Sequence, residues 1–305
     1  MAVCTVRRGK PPDQPAHCRL RRRLLQKVWR MPQVERSFIA TPSGRIHIAT
    51  AGRGAPVLLL HQTPRSWDEF RDVLPLLGRH YRAMAMDTVG YGDSDPLRSG
   101  QASIENWAKA AHELLDALHI RRAAVVGHHT GASIAIEIAA TYPGQVAALV
   151  LSASPYVDAA RRAEAKTHQR AVVDEVTPRM DGGHLAQLWS MRKSFYPADR
   201  IDLLERFIVD CLKAGPRAAE GHRVVDRHEM EKRLPLVRCP TLVIAPTADP
   251  HAYPHAPKGA AAIAGSILVE IKNGMVPLPD QMPEEFAGAV HRFLAAQPAW
   301  DDGQP

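Results

Sequence analysis

An α/β fold, with a mostly parallel sheet flanked by helices, is predicted by two patterns in this 305-residue sequence. Short apolar runs such as residues 56–60 read as strands buried on both faces, and they alternate with segments of helical period along most of the chain. Between one such run, residues 123–126, and the helix that follows it stands Gly127-His128-His129-Thr130-Gly131. Glycines two places before and after a central residue mark a tight strand-to-helix turn with no room for flanking side chains.

Each element follows in order. Residues 37–40 and 45–49, joined by Thr41-Pro42-Ser43-Gly44, form an antiparallel hairpin. The strand at 56–60 leads to a helix over 66–77, a strand over 81–86, a helix over 103–118 and the strand at 123–126. A helix over 131–141 stops at Pro143-Gly144, and a strand over 146–151 closes the first half. Repeated strand-helix-strand alternation implies right-handed crossovers. Residues 155–236 break that rhythm with helical segments rich in large apolar side chains, which reads as an inserted helical cap. Alternation resumes with strands at 241–245 and 267–271, a short helix near 257–264 and a last helix over 283–296. The expected division is a basic arm (1–33), a first core half (34–154), the cap (155–236), a second core half (237–297) and a tail (298–305).

Charge is unevenly placed. The chain carries a net +7, yet residues 1–30 hold nine Lys or Arg and a single acid, Asp13, so the remainder is near neutral. The basic balance therefore indicates no nucleic-acid-binding face on the folded body. The arm itself reads as disorder or as a translated leader with Met31 as the natural start, ahead of an anionic-surface anchor or a targeting segment. Four cysteines without paired spacing point to neither a zinc site nor a disulfide framework, and favour a reducing compartment, the cytoplasm. No apolar run reaches the roughly 18 residues of a membrane helix, so integral membrane association is not expected.

The turn around His129 resembles the nucleophile elbow of the α/β-hydrolase fold family, specifically its members with a helical cap. Further segments carry the resemblance: the strand ending in His61-Gln62-Thr63-Pro64, the loop Asp87-Thr88-Val89-Gly90-Tyr91-Gly92-Asp93-Ser94, Cys239-Pro240-Thr241 with the later Asp249, and the closing helix from Pro283. The resemblance implies a catalytic acid at Asp249 and an oxyanion hole made by the backbone amides of Gln62 and Thr130. It also implies a substrate pocket under the cap, for which His61, Trp67, Trp189 and Met275 are the candidates, with hydrogen bonding to nearby backbone the favoured reading for His61 and core packing that for the two tryptophans.

Two positions depart from the family. His129 stands where Ser, Cys or Asp is usual, and Lys272-Asn273-Gly274-Met275-Val276-Pro277 supplies no late histidine. A serine-ester mechanism therefore does not carry over. A free imidazole titrates near about 6.5 and can take a proton at neutral pH. His129 is thus expected to act as general base, or as an atypical nucleophile, in hydrolysis of a small, mainly apolar carbonyl compound such as an ester or a C–C bond. Two alternatives stay open: a lyase or isomerase using His129 as base, and a catalytically inactive binder of a small ligand. His128 reads as structural, and Ser133 falls one turn too late to serve as nucleophile. His251 and His255 are secondary candidates for a base on a Pro-rich loop. Gln62, in place of glycine, either donates to substrate or fills the oxyanion hole. No metal and no organic cofactor are implied, since Gly90-x-Gly92 lacks the third glycine of a dinucleotide loop.

Overall fold

The computed structural model describes residues 31–98, 100–167 and 175–300. Most of the basic arm (1–30) and the end of the tail (301–305) lie outside them. Contacts divide the chain between Met31 and Pro32, and the architecture below is that of the second unit.

Eight strands form one sheet: β1 (Glu35–Thr41), β2 (Gly44–Ala51), β3 (Pro56–Leu60), β4 (Arg82–Met86), β5 (Ala123–His128), β6 (Val146–Ser152), β7 (Thr241–Pro246) and β8 (Ile267–Ile271). Their order is β1-β2-β4-β3-β5-β6-β7-β8. β1 and β2 make the antiparallel hairpin, β2 meets β4 antiparallel, and every other pairing is parallel.

Alternation along β3 builds two cores. Val57 and Leu59 enter the layer covered by α1 (Val73–Leu77) and by the closing helix, whereas Leu58 and Leu60 enter the layer of α2 (Ile104–Ala117) and α3 (Thr130–Thr141). Ser103 starts α2 by accepting the Asn106 N–H at 3.1 Å, and Ile104, Trp107, Ala111, Leu114 and Leu115 give it one buried face. Between β6 and β7 lie α4 (Ala159–Thr167), α5 (Gly183–Arg192), α6 (Ile201–Ala214), α7 (Glu220–Val225) and α8 (Met230–Arg233). Leu188, Leu203, Leu204 and Phe207 of this segment join the core on the α2–α3 side. The chain then adds α9 (Ala256–Ala261), α10 (Leu278–Gln281) and α11 (Pro283–Ala295). No described helix is long and apolar enough to cross a membrane.

One expected element is divided. Residues 66–77 form a 3-10 turn, Trp67–Phe70, and then the short α1. Pro75 has no N–H to return to the carbonyl of Arg71, so a continuous helix through this segment would lack that bond.

Candidate functional site

The chain leaves β3 for β4 on one side, while β5 pairs with β3 on the other. Loops leaving the carboxyl ends of β3 and β5 therefore diverge, and a crevice opens at this switch point. His129 makes the turn from β5 to α3 alone, at φ 47° and ψ −113°. Such a conformation costs a side-chain-bearing residue about 1–3 kcal/mol and persists only where the surroundings enforce it. Here they do. A Cβ on Gly127 would stand 2.2 Å from the Gly131 carbonyl oxygen, and one on Gly131 would stand 2.0 Å from that of Leu60.

The ring of His129 reaches Asp249, on the loop after β7, with Nε2 2.8 Å from Oδ2. The contact is at ion-pair distance, although the ring N–H does not point along the line to the oxygen. Oδ1 of Asp249 accepts the amides of His251 at 2.8 Å and Ala252 at 3.0 Å. Burial alone would raise the pKa of this carboxyl, but the His129 ring and the two amides outweigh it and hold it at about 2. The ionised carboxylate of Asp249 favours the ring tautomer with its hydrogen on Nε2. The imidazole thus spans the gap that two side chains bridge in an ordinary triad.

Facing His129 is a cavity of about 140 Å³. Gln62, Thr63, Thr130 and Val276 line its floor, and Arg161, Arg192, His222, Asp226 and His251 lie around it. Several of these belong to the helical segment between β6 and β7, which thus adds charged side chains to a lining that is mostly apolar. Arg161 pairs with Asp226 at 3.3 Å. Arg192 places its guanidinium 4.6 Å from the centre of the Phe207 ring and 3.2 Å from His222 Nε2.

The amides on the floor correct the expectation for Gln62. Its backbone N–H donates to Glu69 Oε2 at 2.8 Å and so is not available to a ligand. The next amide, that of Thr63, has no hydrogen-bond partner among the described residues, and neither has that of Thr130. The two residues are joined through their hydroxyls, Oγ1 to Oγ1, at 3.0 Å. The cavity-lining residues with an unpartnered amide next to His129 are therefore Thr63 and Thr130.

Four expected pocket residues lie elsewhere. His61 is fully buried, with Nδ1 donating to the Gln62 carbonyl at 2.7 Å and Nε2 accepting the Thr88 amide at 2.9 Å. Trp67 packs against the other core, under the guanidinium of Arg36, and borders a separate surface groove. Trp189 is half-buried against the core. Met275 gives its place on the cavity wall to its neighbour Val276, and its amide donates to Gln281 Oε1 at 2.7 Å. His128 is structural: buried, its Nε2 donates to the Val276 carbonyl at 2.9 Å and Nδ1 meets Ser152 Oγ at 3.0 Å, while burial drives its pKa well below the ordinary value. The Ser133 hydroxyl is buried within α3. Of the two loop histidines, His251 borders the cavity with its ring 4.8 Å from that of Phe195, and His255 is exposed away from it.

Behind the floor lies a charge cluster that sequence reading missed. Arg65, fully buried, donates to Asp210 on α6 at 2.8 Å and to Asp280 on α10 at 2.5 Å. Arg206 stands 2.9 Å from the other Asp280 oxygen, and Ser66 Oγ donates to Asp210 at 2.8 Å. The cluster ties the loop after β3 to α6 and α10. Among the described residues, two other groups bring a histidine and two acids within 4.8 Å of one another, His47 with Asp87 and Asp93, and Glu105 with Glu137 and His228. Neither group lines the cavity. Asp87 is engaged by His47 and by the amides of Trp67 and Asp93, and Glu137 by Arg233.

Comparison with known proteins gives a consistent picture. Residues 55–214, just over half of the chain, match the family described as alpha/beta hydrolase fold. A putative non-heme haloperoxidase of Mycobacterium phage D29 is 36% identical over 108 residues, 35% of this chain and 38% of that protein. A soluble epoxide hydrolase of Corynebacterium sp. (strain C12) is 38% identical over 95 residues, 31% of this chain and 33% of that protein. The chain thus spans less than two fifths of either curated relative. A hydrolase from Pseudomonas aeruginosa PA01 superposes with a TM-score of 0.70 at 26% identity, covering 86% of this chain and 99% of that one.

Proposed function

The chain belongs to the α/β-hydrolase fold family, and on that premise we propose that it hydrolyses a small carbonyl compound with His129 as general base. The observation that carries this reading is the His129–Asp249 contact of 2.8 Å beside a cavity lined by Thr63 and Thr130, whose amides have no partner among the described residues. Nδ1 of His129 takes a proton from a water held in the cavity as that water's oxygen attacks the carbonyl carbon. The carbonyl electrons move onto oxygen, where the two amides receive the developing charge. The proton on Nδ1 then passes to the leaving group as the tetrahedral intermediate collapses. Asp249, buried and ionised, offsets the charge of the transient imidazolium without taking its proton. Proton transfer is worth about 10² to 10⁴ in rate, and each amide about 10² to 10³.

The helices between β6 and β7 act in this reading as a cap over the cavity. Arg161, Arg192 and His222 suit a polar substituent pointing towards them on an otherwise mainly apolar compound, as expected from sequence. The mechanism asks for no metal or organic cofactor, and a reducing compartment, the cytoplasm, suits Cys211 and Cys239, which are not joined in a disulfide. The test is turnover of a panel of small esters, led by p-nitrophenyl acetate, in ¹⁸O-labelled water. One labelled oxygen in the released acid supports hydrolysis. Turnover without label points to the lyase or isomerase alternative, and saturable ligand binding without turnover points to the binder.

A further inference from the structure

The loop after β3 has its polar groups tightly assigned. The Gln62 carbonyl accepts the Arg65 amide at 2.9 Å and His61 Nδ1 at 2.7 Å. Both donors of Gln62 go to one carboxylate: its backbone N–H to Glu69 Oε2 at 2.8 Å, and its side-chain Nε2 to Glu69 Oε1 at 2.5 Å. Glu69 sits on the 3-10 turn Trp67–Phe70, fully buried. Among the described residues, Gln62 is the only hydrogen-bond partner of that carboxylate.

Holding a carboxyl here is costly. Burial pushes Glu69 up to about 8, against the pull of Arg65 and the Gln62 donors. Gln62 is itself a wall residue of the cavity, next to the two unpartnered amides. A carboxamide released from Glu69 would bring its own acceptor oxygen beside those donors, and buried N–H groups take an acceptor where one is within reach.

We infer that Glu69 is a positioning residue that draws the Gln62 side chain back and so keeps the anion-binding corner of Thr63 and Thr130 open. The inference rests on the reading of that corner as the oxyanion hole, but its structural consequence does not. It gives the glutamine in this loop a role: a side chain able to plug the hole, held aside by a carboxyl group seven residues further on.

The decisive experiment is a crystal structure of Glu69→Ala, with Glu69→Gln as a second variant should the first fail to fold. Glu69→Gln can still accept the Gln62 backbone N–H but sets its own NH₂ against that of Gln62. The expected result is a rotated Gln62 with Oε1 within hydrogen-bond distance of the Thr63 and Thr130 amides. A Gln62 that stays in place, or turns away from the cavity, overturns the inference whether or not the protein is a hydrolase. If p-nitrophenyl acetate is turned over, Glu69→Ala lowers kcat about 10²-fold, as loss of an oxyanion donor does. Added to Gln62→Gly, the same change costs no more than about twofold, because no side chain remains to swing in. A full loss in that double variant would show that Glu69 supports only the stability of the loop.

Discussion

The carboxyl of Asp249 offers a test that needs no substrate. An aspartate in an unfolded chain titrates near about 3.9, whereas Asp249 is held at about 2 in the folded protein. The depressed value means that the folded state releases this proton more readily than the unfolded chain. Its contribution is therefore fully present above about pH 4 and is lost as pH falls towards 2. The difference is worth about 2.5 kcal/mol at most, a large figure for one side chain but consistent with its burial and its three partners. The perturbation is Asp249→Asn, which keeps an acceptor for the amides of His251 and Ala252 and removes the charge facing His129. Urea unfolding of both proteins at several pH values between about 6 and 2.5 gives the stability gap directly. It should shrink by about 2 kcal/mol across that window, since protonation makes the wild-type side chain neutral too. Parallel curves would refute the argument and show that the charge on Asp249 is not what the fold stabilises.

Other expectations follow from the same geometry. Gly131→Ala drives a Cβ to 2.0 Å from the Leu60 carbonyl oxygen, and since the atoms it meets are backbone and cannot swing aside, a loss of about 3 kcal/mol or more is expected in denaturant melts. Arg65→Met leaves Asp210 and Asp280 buried without their shared cation, and should cost about 3–5 kcal/mol at neutral pH, read as a fall in Tm. Glu69, raised to about 8 from 4.5, binds a proton more tightly folded than unfolded. Stability should therefore decline as pH rises from about 4.5 to 8, and Glu69→Gln should flatten that slope.

Local pattern made most of the fold legible. The strands at 56–60 and 267–271 were bounded by turn signals and appear with those limits, and α2 differs from its expected span by one residue at each end. The elbow was legible because sterics alone require glycine at 127 and 131. The resemblance pointed to Asp249 as the acid of the site, and its carboxylate stands 2.8 Å from His129 Nε2. What escaped detection depends on long-range partners. Whether the Gln62 amide is free is decided by Glu69, and no motif announces that bond. Counting one residue further would have found Thr63. Arg65 meets acids 145 and 215 residues away, which one-dimensional pattern cannot relate. Trp67 and Trp189 were expected in the pocket because they are large and near it in sequence. The faces of their elements turn them into the cores instead.

The measurement closest to the central claim is the hydrolysis of p-nitrophenyl acetate by the wild-type protein and by His129→Ala at neutral pH. With His129 as the base, the variant should lose about 10² to 10⁴ in kcat while keeping the thermal stability of the wild type to within a few degrees. Undiminished turnover in a folded His129→Ala protein would contradict the account.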